Sequence, residues 1–224
     1  MHNIYAKDLC TLDRRVTLVH MTEEKPQGIR LDERQLRVLA HPMRARIPGL
    51  LRIGGPATAT DLARLLDTNS GATSYHLRQL AEVGLVIDTG EGVGRRREWR
   101  ASSDFHSWVP SDFDDRPDAA AAVGWLQRAY LREFVERAER WEDAAPEWSK
   151  SWRDSLGLSD SFVEVTPAQA RALRDEIDAL FERYRHAGAG SPDAVRLHVT
   201  THAAPLSLTT PGTPSGASDP HPSA

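Results

Sequence analysis

Ser70, Gly71, Thr73, Ser74, Tyr75 and Arg78 fall within one short stretch of the chain, and a run of Arg95, Arg96 and Arg97 follows downstream. Small hydroxyl side chains around a glycine let a backbone come close to another surface and bond phosphate oxygens or base edges. An arginine fork matches a guanine edge or a phosphate. Three consecutive arginines can neutralise backbone charge or enter a minor groove, although a solvated charge run has the same composition. This chemistry is recognition of double-stranded DNA rather than bond-making. No phosphate-binding loop, nucleophile elbow or His–Glu metal pair occurs, so an enzyme is not expected. The glycines of Gly90–Gly94 have no Lys-Ser/Thr after them and no helix to follow. With Cys10 as the one cysteine, neither an intrachain disulfide nor a Cys-rich zinc site can form, and no cofactor is expected.

The charge distribution supports a divided role. The chain as a whole carries −4. Residues 30–102 hold twelve arginines against eight carboxylates, a balance of +4, whereas residues 103–186 hold eleven basic and eighteen acidic residues, a balance of −7. One half is suited to a polyanion and the other to something else. No run of eighteen or more apolar residues is present and no signal-peptide core is recognisable, so no membrane role and a cytoplasmic location are expected. Residues 1–29 lack a sustained period and read as a disordered segment, with Met21 opening a stretch that resembles an ordinary protein start.

The elements that must position the polar residues follow from periodicity. Leu36, Leu39, Ala40, Met43, Ile47, Leu50 and Leu51 recur at helical steps and predict one helix stopped by Gly54-Gly55-Pro56. Pro48 lies inside it, predicting a kink near Arg44–Pro48 and a domain less stable than a Pro48→Leu variant. Thr60 is the expected cap of a short helix, Asp67–Asn69 the turn, and Ser70 the cap of a third helix with apolar positions Ala72, Thr73, Leu77, Leu80 and Ala81, ending at Gly84. Leu85–Ile87 and Arg95–Arg100 then read as two strands around a glycine-rich tip. After an acidic linker over 102–117, a long helix is predicted over 118–144 with the stripe Ala119, Val123, Leu126, Tyr130, Phe134, Ala138 and Trp141. Beyond it come a strand at 162–165, a helix capped by Thr166-Pro167 and a strand over 195–200. From Pro205 the Pro, Ser and Thr content predicts a disordered tail.

The expected fold is therefore mainly α: a winged helix-turn-helix over 30–102, then a long helix and a small α+β C-terminal domain over 103–204, with a disordered tail over 205–224. In such a motif the second helix of the pair enters the major groove by its N-terminal residues. His41-Pro42-Met43-Arg44, Ala59-Thr60-Asp61-Leu62-Ala63, Ser74-Tyr75-His76-Leu77 and Leu80-Ala81-Glu82-Val83-Gly84-Leu85-Val86 together resemble the arsenic-repressor (ArsR) type winged helix-turn-helix regulators. The remainder, with Trp148, Trp152 and the helix after Thr166-Pro167, is similar to the C-terminal part of an actinobacterial-looking subgroup of helix-turn-helix proteins. The resemblance implies a transcription regulator, a repressor acting as a homodimer on a palindromic operator, paired through the long helix. Metal-sensing members carry a Cys-containing motif in the helix before the recognition helix; Asp61 to Leu66 has neither Cys nor His, which places this chain with a non-metal-sensing subgroup. His41 and His76 read as packing residues, and His198 and His202 lack a third metal ligand. Trp125, Trp141, Trp148 and Trp152 suit a core or dimer interface before a cavity for a small-molecule effector. A protein-interaction scaffold without DNA binding is the alternative function.

Overall fold

The structure is a computed structural model and describes residues 28–92 and 96–207. It is mainly helical and divides into two units, with the boundary between Leu158 and Ser159. The first unit begins with strand β1 (Gly28–Arg30), followed by helix α1 (Glu33–Leu39) and helix α2 (Pro42–Gly54). Strand β2 (Ala57–Thr58) leads into helix α3 (Ala59–Leu65), and helix α4 (Ser70–Glu82) follows a tight turn. Strands β3 (Val86–Asp88) and β4 (Glu98–Ala101) form the wing; β5 (Phe105–Ser107) and the long helix α5 (Pro117–Ala144) come next, then helix α6 (Lys150–Ser155). The second unit contains helix α7 (Pro167–Tyr184).

The single helix expected over 36–51 is two helices. Pro42 disfavours the helical conformation at the residue before it, and His41 is extended with φ −149° and ψ 134°. Its Nδ1 accepts from the Met43 N–H at 3.2 Å, capping α2. Helix α2 runs through Pro48, whose ring is fully buried. Proline has no N–H to give the Arg44 carbonyl and crowds that turn. Because a leucine there would need extra volume, the variant that isolates the backbone effect is Pro48→Ala. It is expected to raise the melting temperature by roughly 4 °C, the shift of about 1 kcal/mol in a domain of this size. An unchanged or lower melting temperature would show that ring packing outweighs the backbone term.

Two further caps differ from expectation. Thr58, not Thr60, starts α3: its Oγ1 accepts from the Asp61 N–H at 3.3 Å, and an Asp61 oxygen accepts from the Thr58 N–H at 3.1 Å. Asn69, not Ser70, caps α4, its Oδ1 accepting from the Ala72 N–H at 2.8 Å. Both capping residues have extended backbones, which is what lets a side chain fold back onto the first turn. The far end of α4 is closed by Gly84 at φ +71°, with the Gly84 N–H on the Ala81 carbonyl and the Leu85 N–H on the Leu80 carbonyl. That paired closure requires a left-handed residue, the conformation open to glycine.

The core gathers Leu36, Leu39, Ile47, Leu62, Leu77, Leu80 and Leu85, all fully buried. Strands β2, β4 and β3 form an antiparallel sheet in that order, pairing Ala57 with Trp99 and Val86 with Ala101. The first half of α5 belongs to the same core: Ala119, Ala122, Val123 and Leu126 are buried and the helix packs on α1. Farther along, Leu131 and Val135 are exposed.

Residues 102–117 are not a linker. Strand β5 pairs parallel with β1, Ile29 opposite His106, and Phe113 of the following 3-10 turn is buried. Residues 28–29, expected to be disordered, are thereby ordered; residues 1–27 and 208–224 lie outside the described residues. His106 links three elements. Its Nδ1 lies 3.0 Å from Arg52 Nη1 and its Nε2 lies 2.8 Å from the Tyr130 hydroxyl. Since a guanidinium only donates, Nδ1 accepts and Nε2 carries the proton toward Tyr130. Arg52 also donates to the Ser103 carbonyl at 2.9 Å. Burial, then the Arg52 charge, pushes His106 down to about 4, and burial pushes the Tyr130 phenol up.

In the second unit, Thr166 caps α7 with Gln169 as expected. The strands expected at 162–165 and 195–200 do not form: both segments lack a ladder, and Phe162, Val163, Val195, Leu197 and Val199 are exposed. Alternating apolar residues make a strand only where a partner edge is at hand, and neither segment has one among the described residues.

Candidate nucleic-acid interface

An open groove of about 440 Å³ lies between the start of α3, the outer face of α4 and the wing. From α4 it receives Ser70, Ser74 and Arg78; from the wing, Arg96, Arg97 and the flank of Trp99. Among the described residues, three arginines line it and no carboxylate does. The start of α3 supplies Thr58 and Thr60, which sequence reasoning did not place in the site. Their signal was present as the Thr58-x-x-Asp61 capping box, which sets where that helix begins.

The residues expected on α4 separate by burial. Ser70, Gly71, Tyr75 and Arg78 are exposed and Ser74 is half-buried. Thr73 is a correction: it is fully buried, its hydroxyl donating to the Asn69 carbonyl at 3.1 Å, so it holds the first turn and lies outside the groove. Four residues before Leu77 and seven before Leu80, it falls on their side of the helix, which faces the core. Gly71 has a second reason to be small, because a Cβ there would sit 3.2 Å from the capping oxygen of Asn69. Arg78 lies along its own helix with Nε donating to the Ser74 carbonyl at 3.2 Å, which leaves the outer edge of the guanidinium available.

In the wing, Arg97 Nε sits 3.5 Å from Asp88 Oδ2 across β3 and β4. An exposed pair of this kind contributes about 0–1 kcal/mol, so exchanging the carboxylate for a phosphate costs little. Arg96 is exposed on the groove, while Arg95 lies outside the described residues.

Tyr75 is 52% exposed and meets His76 edge-on at 5.4 Å; His76 in turn packs on His41 at 4.6 Å. The outward tyrosine is thus linked through His76 to His41, the residue that caps α2. Burial lowers the pKa of both histidines, reinforced by Arg44 at His41 and by His41 and Arg44 at His76. Both imidazoles are therefore neutral at neutral pH, as the capping role of His41 Nδ1 requires. Elsewhere, Trp141 meets Trp148 and Trp148 meets Trp152 edge to face, at 5.5 and 6.1 Å.

Residues 39–89 match the family described as a helix-turn-helix domain. The match spans α2, α3, α4 and β3 and stops before the wing arginines. No curated protein matches the chain. Among the described residues, no helix is long and apolar enough to cross a membrane.

Proposed function

We propose that this protein is a non-catalytic, sequence-specific DNA-binding transcription regulator of the arsenic-repressor type, acting as a homodimeric repressor on a palindromic operator. The observation that carries the reading is the groove where the exposed start of α4 meets Arg78, Arg96 and Arg97, with no carboxylate among its described lining residues. Helix α4 enters the major groove by its first two turns, with Arg78 on a base edge and Ser70 and Ser74 on phosphates or bases. The wing arginines follow the adjacent backbone. Pairing uses the second half of α5, where Leu131 is 42% and Val135 49% exposed. Two copies then set their recognition helices about 34 Å apart on successive major grooves.

The test is binding of the full chain to sites selected from a random DNA library, titrated between 50 and 200 mM salt. Affinity is expected to fall steeply with salt, because each phosphate contact releases counterions. Arg96→Ala is expected to weaken binding about equally on all sequences and to reduce the salt slope by roughly one. Absence of any selected sequence, together with retention of a protein partner, would favour the interaction-scaffold reading instead.

A further inference from the structure

Helix α7 has 18 residues, a complete N-terminal capping box and no buried side chain. Its apolar residues are nonetheless ordered. Ala170, Leu173, Ile177, Leu180 and Tyr184 follow one another at alternating steps of three and four, the repeat that places one stripe against another helix. Leu173 and Leu180 remain 39% and 40% exposed and Tyr184 69%. Between Leu173, Ile177 and Leu180 runs a shallow groove of about 380 Å³, and its rim carries Glu176 and Arg183. These two opposite charges lie one heptad apart on the same edge of the stripe, and neither forms an ion pair among the described residues.

We propose that α7 pairs antiparallel with α7 of a second copy of this chain. A two-fold axis beside Ile177 and Leu180 brings each Ile177 against the partner's Leu180 and each Leu173 against the partner's Tyr184. The same operation sets each Glu176 next to the partner's Arg183, twice over, so the edge is complementary to itself under two-fold symmetry. Parallel pairing lacks this match. It sets Glu176 beside the partner's Phe181 and carries Arg183 past the helix end to the partner's Gly188. Charge complementarity thus selects both the occupant and its direction. The inference rests on the proposed α5 dimer only for its strength. A stripe this short is marginal alone in water, and it becomes an effectively intramolecular contact once α5 has joined two copies.

Disulfide trapping in the full chain tests the pairing. In a Cys10→Ser background, Leu173→Cys with Tyr184→Cys is expected to give a covalent dimer on mild air oxidation, while either cysteine alone gives none. The two positions are about 16 Å apart along one helix, at 1.5 Å per residue, so they cannot bridge within a chain. Single-cysteine dimers as abundant as the double would overturn the antiparallel direction. A chain that sediments as a dimer yet shows no trapped product would overturn the pairing and leave the α5 reading intact. Conversely, trapping that persists unchanged in Leu131→Asp/Val135→Asp would support the α7 contact and remove α5 as the dimer helix.

Discussion

Lowering the pH from 7 to 4 is expected to remove about 3 kcal/mol of folding stability through His106 alone, the equivalent of holding its pKa near 4 when the unfolded chain has 6.5. The sign follows from linkage. Below pH 6.5 the unfolded chain takes up a proton that the folded protein refuses, so the unfolded state gains. The contribution is complete above the unfolded value, declines as the pH falls toward the folded one, and is gone below it. The refusal has a structural cause. His106 Nδ1 must accept from Arg52, a neighbour that cannot give up its charge, while Nε2 faces the Tyr130 hydroxyl. Protonated imidazole has no acceptor to offer and would sit beside a cation. His106→Gln keeps an acceptor for Arg52 and a donor for Tyr130 without a titrating group. Urea midpoints at pH 7, 6, 5 and 4 should show the two proteins converging, with the variant's curve flatter by about 3 kcal/mol over that range. His41 and His76, lowered for similar reasons, act in the same direction in both proteins and cancel in the comparison. Curves that stay parallel would mean the Arg52–His106–Tyr130 link carries no proton-dependent stability.

Arg78→Ala is expected to lower affinity for the selected site about 10- to 100-fold, the range of 1–3 kcal/mol for one bidentate base contact. The loss should be concentrated at one base position per half-site. Competition with sites altered at single positions would show a preference that disappears there and persists elsewhere. Arg78→Lys is not expected to rescue it, since an ammonium keeps the charge and loses the planar fork. The outcome contrasts with Arg96→Ala, whose effect is expected to be even across sequences. The geometry underlies the difference: Arg78 rides on α4 and is oriented by the Ser74 carbonyl, whereas Arg96 lies on the wing side of the groove. If Arg78→Ala weakened all sequences alike, Arg78 would be a phosphate contact and base reading would fall to Ser70, Ser74 and Tyr75.

Local signals sufficed for the parts of the molecule built from near neighbours in the chain. The apolar steps of α4, its end at Gly84, the long helix α5 and the Thr166 cap are all contained within a turn or two of backbone, so composition and spacing express them directly. The exposed positions of α4 were legible for the same reason, because Leu77 and Leu80 define its inner face. Tertiary structure decided what depends on distant partners. Of the two readings Thr73 carried, apolar position and DNA contact, its burial in the folded core kept the first. Residues 28–30 became a strand because β5 offered an edge, while 162–165 and 195–200, more apolar and better patterned, form no ladder among the described residues. The ordering of 102–117 and the link from Arg52 through His106 to Tyr130 join segments far apart in sequence, and no local period encodes such contacts. The arginines and hydroxyls with which the reading began were visible from the start. That Thr58 and Thr60 share one groove with Arg78, Arg96 and Arg97 emerged only when two helix starts and a hairpin were brought together in space.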